Sequence, residues 1–150
     1  MRLDWSTLSP AELLAEAEGF QHDNDDGSDC YFDPSEAQWS LQVIDPASVD
    51  AFESDEAAKT WISEEIAALR KDGMDSRAAL YESMILDGFE DPVIIGACNG
   101  RRAIWDGWHR TAIAMVRCEL LLAILGDRPY PSPAPSLGAE HVAPVAMAAR

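Results

Sequence analysis

Asp106, Gly107, Trp108, His109 and Arg110 place an acid, a glycine, an indole, an imidazole and a guanidinium in consecutive positions. Together they could hold a small anion. Glycine lets the backbone bend sharply and come close to a ligand. Arg110 can grip phosphate oxygens in a fork, and His109 can donate a further hydrogen bond. Thr111 adds a hydroxyl. Asp106 can orient His109 or hold a metal ion carried by a nucleotide. Trp108 can stack on a base or serve as a partly buried packing residue. The plainer alternative is an ordinary Asp-Gly turn with a His-Arg pair as surface decoration.

The anion-holding reading needs a strand before the turn and a helix after it. Ala103-Ile104-Trp105 reads as the strand. Thr111 to Arg117 reads as the helix, with Ala112, Ile113, Met115 and Val116 available for packing. The free N–H groups and positive dipole end of such a helix attract an anion. Asp91-Pro92-Val93-Ile94-Ile95-Gly96 predicts a preceding strand, and Asn99-Gly100 a tight turn that folds both strands into a hairpin. Glu119 to Leu125 is apolar enough for a closing, buried strand. Glu90 and Asp91 stand just before the first strand. Each is a second candidate, after Asp106, for a base or metal-holding carboxylate, or else a plain loop acid. Arg101 and Arg102 either widen the positive patch or form a solvated hairpin tip.

Upstream, Ser9-Pro10-Ala11-Glu12 carries a capping box and a first-turn proline, so a helix should start there and end near Gly19. Trp39 to Asp45 predicts a strand stopped by Pro46. Trp61, Ile62, Ile66 and Leu69 predict a helix over Glu56 to Lys71. Ser76 should cap another, with Leu80, Met84 and Ile85 inward and Asp87-Gly88 at its end. The expected fold class is α+β: a small mixed β-sheet flanked by helices. Residues 1–38 are expected to form an acidic N-terminal arm, 39–128 the domain, and 129–150 a Pro-rich tail dispensable for folding. Pro129, Pro131, Pro133 and Pro135 interrupt any regular element there.

The bulk numbers bound the function. The chain has 150 residues and 47% hydrophobic content, enough for one domain with a core. No apolar run reaches the length of a membrane span, and the start lacks a signal peptide's apolar stretch. A cytoplasmic protein with no membrane partner is expected. Cys30, Cys98 and Cys118 are odd in number and far apart, so buried free thiols are expected rather than a zinc site or disulfides. Net charge is −16: residues 1–91 hold 23 acids against 5 Lys and Arg, while residues 92–150 hold 4 acids against 6 Arg. Duplex DNA should be repelled. The acidic stretch from His22 to Asp29 fails the calcium-loop template, because with Gly27 in the sixth position the first is His22 and the twelfth Asp33.

The order of these parts resembles the ParB/sulfiredoxin-like superfamily. Met84 to Gly88, Asp91 to Ile95, Ala103 to Trp105, Asp106 to Arg110 and Leu120 to Ile124 match its helix end, Pro-led strand, hairpin return, Gly-x-His-Arg turn and closing strand. Trp39 to Asp45 matches its first strand. The resemblance covers residues 39–126. It implies that Gly107, Trp108, His109, Arg110 and Thr111 hold the phosphates of a nucleotide (ATP, ADP or CTP), with magnesium. Asp106, Glu90 and Asp91 would be the catalytic carboxylates of a phosphotransferase or hydrolase. Trp108 stands where sulfiredoxins carry their nucleophilic cysteine, so sulfiredoxin activity is not expected. The helix-turn-helix and dimerisation domains of chromosome-partition proteins are missing. The Asp-Gly-His-x-Arg turn of ADP-dependent free-serine kinases is similar in content but spaced differently. Two rival functions remain: a non-enzymatic module whose acidic surface meets a basic protein partner, mimicking nucleic acid, and a metal-dependent nuclease.

Overall fold

The computed structural model describes residues 4–19 and 30–129. It is α+β, with helices α1 (Pro10–Glu18), α2 (Asp55–Lys71), α3 (Asp75–Asp87) and α4 (Trp108–Arg117). The strands are β1 (Gln38–Ile44), β2 (Val93–Cys98), β3 (Arg101–Asp106) and β4 (Leu121–Asp127). Residues 20–29 and the tail from 130 onward, with the acidic loop, His22 and His141, lie outside the described residues.

The strands form one mixed sheet in the order β1-β4-β2-β3. Asn99 and Gly100 both take positive φ, 57° and 80°, which suits a two-residue hairpin turn between β2 and β3. A bulge between Ile94 and Ile95 interrupts their pairing. β4 then returns parallel to β2, Val93 opposite Ala123, after a crossover through α4. β1 closes the sheet antiparallel to β4, Gln38 opposite Asp127 and Ile44 opposite Leu121.

Alternation divides the strand residues between two buried faces. Ile94, Cys98, Ala103, Trp105 and Ile124 pack with Trp39 against Leu13 and Ala17 of α1. Trp105 and Trp39 meet edge to face at 5.3 Å, and the Trp105 indole donates to the Cys30 carbonyl at 2.8 Å. On the other face Val93, Ile95, Ile104, Leu121 and Ala123 pack on Ala114 of α4. The far side of α4 buries Ala112, Ile113 and Met115 against Ala58, Ile62 and Ile66 of α2. Each fully buried Ile or Leu adds about 1.5–3 kcal/mol. α4 is therefore held on two sides, and its first turn cannot drift.

Several expectations are corrected. α1 has its capping box, with Ser9 and Glu12 bonded reciprocally, but it belongs to the core and does not stand apart as an arm. α3 begins at Asp75 behind Met74, with no side-chain cap, so Ser76 lies inside it. Its one fully buried residue is Ala78. Met84 and Ile85 are partly buried against the cluster shared by α2 and α4, as expected, whereas Leu80 is 53% exposed and lines an open groove. The helix after the turn starts at Trp108, three residues earlier than its apolar spacing indicates. Cys30 and Cys98 are buried thiols, but Cys118 is exposed at the C-terminal cap of α4.

Candidate functional site

The turn into α4 is built on Gly107, whose φ of 114° suits glycine alone. A Cβ there would also lie 2.4 Å from Val93 Cγ1. Backbone shape and close packing thus demand the same residue. The Thr111 N–H and hydroxyl both donate to the Gly107 carbonyl at 2.9 Å. Thr111 is fully buried, so its hydroxyl serves the helix rather than a ligand. No side chain caps α4, which leaves its first-turn N–H groups open.

These groups face a groove of about 1480 Å³ between α3, the start of β2 and the start of α4. Glu90, Asp91, Asp106, Gly107, Trp108, His109 and Arg110 all line it. Of the turn residues and carboxylates singled out by sequence, only Thr111 does not. Leu80, Met84 and Phe89 give it an apolar wall.

The side chains are partly committed elsewhere. Arg110 donates to the Pro92 carbonyl at 2.6 Å and to Asp106 Oδ2 at 2.8 Å. It ties the end of β3 to the residue before β2. Asp106 therefore orients Arg110 and not His109. His109 instead lies with Nε2 3.2 Å from Glu65 Oε1, stacked parallel on Tyr81 with ring centres 4.4 Å apart. Trp61 stands 5.0 Å from the same imidazole. Trp108 meets Phe52 edge to face at 5.6 Å. Its indole nitrogen is buried and has no hydrogen-bond partner. Such a group costs about 1–3 kcal/mol when left unsatisfied, so its retention calls for an explanation.

The groove's charge is mixed. Arg77, Arg110 and Arg117 face Asp87, Glu90, Asp91, Asp106 and Glu119. Arg117 forks onto Glu119 at 2.9 and 2.7 Å, and also takes the Ile85 and Leu86 carbonyls at the end of α3. Its hydrogen bonds hold the Glu119 carboxyl below the ordinary glutamate value. Arg77, by contrast, makes no ion pair within the described residues. Arg101 and Arg102 turn toward Asp50 and Ser48 and do not line the groove. No group of three His, Cys, Asp or Glu among the described residues is arranged to hold a metal.

No known protein family, curated protein or solved structure matches this chain. The resemblance to the ParB/sulfiredoxin-like superfamily rests on the order of the motifs.

Sequence reading missed Glu65, Tyr81 and Arg77. Glu65 lies one turn after Trp61 on the inward stripe of α2. An acid on an apolar stripe was the available signal. Tyr81 and Arg77 share a helix face with Met84 and carried no signal of their own.

Proposed function

We propose that this protein binds a phosphate-bearing small molecule, of the nucleotide class, in the groove at the start of α4. One observation carries the reading: the first turn of α4 has no side-chain cap, and Gly107 to Arg110 line the groove. Open backbone donors at a positive dipole end are what an anion requires. Arg110 is fixed beside them, and Arg77 adds a cation that makes no ion pair among the described residues. Leu80, Met84 and Phe89 offer a surface for a flat apolar body. Glu90, Asp91 and Asp106 are the carboxylates beside the anion. A magnesium ion would arrive with the nucleotide, because no group of three metal-ligating side chains stands together among the described residues.

Calorimetric titration with ATP, ADP, CTP and inorganic phosphate, with and without magnesium, tests this. Saturable binding by at least one of them is expected. Heats indistinguishable from dilution at millimolar concentration for all of them would end the reading.

A second reading takes the groove as the seat of a basic protein segment. The groove's size favours it: about 1480 Å³ exceeds the roughly 300–1,000 Å³ usual for a small-molecule pocket. Five acids against three arginines on its walls also suit a cationic occupant. Tight, salt-sensitive binding of a basic amphipathic peptide, with no nucleotide binding, would choose this reading.

A further inference from the structure

The two edges of the sheet are treated differently. Along β3 the edge is closed. The Asp50 carboxylate accepts from the Arg102 N–H at 3.2 Å, and the Asp50 N–H donates to the Arg102 carbonyl at 2.8 Å. The Tyr31 hydroxyl donates to the Ile104 carbonyl at 3.2 Å. Proteins block edges in this way because unpaired strands recruit other chains.

Among the described residues nothing comparable protects β1. It is a terminal strand of the sheet, and no described group hydrogen-bonds its outer edge. The usual deterrents are also missing, for Gln38 to Ile44 contains no charge and no proline. That is unusual in a chain with 27 acids and a net charge of −16. At the same strand Val43 is 63% exposed. α1 covers the Trp39 end of that face and leaves Val43 bare.

We propose that the outer edge of β1 pairs antiparallel with β1 of a second copy of this chain, giving one continuous eight-stranded sheet across a two-fold axis. The register follows from the strand itself. Centring the axis on Leu41 pairs all of Gln38 to Ile44 and keeps equivalent faces together. Val43 then lies beside the second copy's Trp39, under the rim of that copy's α1. Leu41 meets its own equivalent on the axis. On the opposite face Gln42 lies beside the second copy's Ser40. Within one chain the Gln42 amide already donates to the Ser40 hydroxyl at 2.9 Å, so the two side chains can exchange this bond across the axis. A second copy fits better than a basic partner, because the strand has no charge for such a partner to recognise.

Two like-charged chains repel, so screening must favour this association. Sedimentation velocity over a concentration series, in about 0.05 M and 0.5 M salt, should show a dimer that tightens with salt. Val43→Lys should weaken it roughly tenfold, because two symmetry-related cross-strand pairs are lost. That substitution lowers the net negative charge, so the weakening could not come from added repulsion. Leu86→Lys makes the same charge change on exposed α3 and should leave the dimer intact. In the unmodified protein, amide exchange of Gln38 to Ile44 should slow as concentration rises. A monomer at several hundred micromolar in high salt overturns the proposal. So does a dimer that resists Val43→Lys, or β1 amides whose exchange ignores concentration.

Discussion

A methyl group on Gly107 would meet both a forbidden backbone region and the Val93 side chain. Gly107→Ala should therefore cost about 1–2 kcal/mol from the left-handed backbone and roughly 1–3 kcal/mol more from overlap with Val93. Gly107→Val should be worse for stability and binding alike. Urea denaturation measures the first, and a wild-type midpoint in Gly107→Ala would refute it. Arg110 supports the fold as well as facing the groove. Arg110→Ala removes the bonds to Pro92 and Asp106, and the loss should be about 1.5–3 kcal/mol of stability. Affinity for a bound phosphate should fall roughly thirty- to a hundredfold as well. If Arg110→Ala melts with the wild type, the contacts to Pro92 and Asp106 carry no stability. Trp108→Phe separates fold from site. It deletes a buried N–H that has no partner among the described residues but trims a ring packed on Phe52 and Trp61, so stability should fall by no more than about 1–3 kcal/mol while anion affinity falls. Equal binding by Trp108→Phe would remove the indole from the site.

At the scale of elements, the strands and their turn were legible because period and punctuation agreed. Val93 to Ile95 is an apolar run, Asn99-Gly100 turns the chain, and Ala103 to Trp105 returns it. The start of α4 was not legible. Trp108, His109 and Arg110 lack the inward apolar spacing of Ala112 to Met115, yet they form the helix's first turn because Gly107 bends the chain into it. α3 misled for a different reason. Leu80 marks the groove wall, while Ala78, Met84 and Ile85 make the contact with the cluster that α2 and α4 share. Pairing of His109 with Glu65 spans 44 positions, beyond any local pattern. At the junction of α3 and α4, Arg117 holds the Glu119 carboxyl below its ordinary 4.5. A depressed acid contributes stability above that value and loses it as pH falls through the folded-state value. Glu119→Gln should thus melt slightly below wild type at pH 7, with the gap closing as pH falls below the ordinary glutamate value. The pair is solvent-exposed, so the effect should be small. A gap that persists or widens in acid would contradict the assignment.

For the molecule as a whole, charge dominates what it meets. At −16 overall, random duplex DNA should bind no tighter than micromolar at physiological salt. Fluorescence anisotropy with a labelled duplex measures this, and salt-sensitive submicromolar binding would contradict it. Arg101 and Arg102 do not offset the repulsion, since they turn toward Asp50 and Ser48. No helix among the described residues is long and apolar enough to cross a membrane.

The strand order has a consequence for how the chain is made. Among the described residues β4 is the last strand in sequence, yet it lies between β1 and β2 and touches both. During synthesis β1 emerges early and must wait about 80 residues for its partner. At the usual 5–20 residues per second, that is a delay of roughly 4–16 s. Until Leu121 to Asp127 has left the ribosome, the β2–β3 hairpin also has a bare inner edge. The sheet cannot assemble progressively from its N-terminal end, and its completion waits on one late strand. From the completion of β3 to that of β4, about 20 residues or roughly 1–4 s, the nascent protein carries both unpaired edges, and that is the interval in which a chaperone matters most.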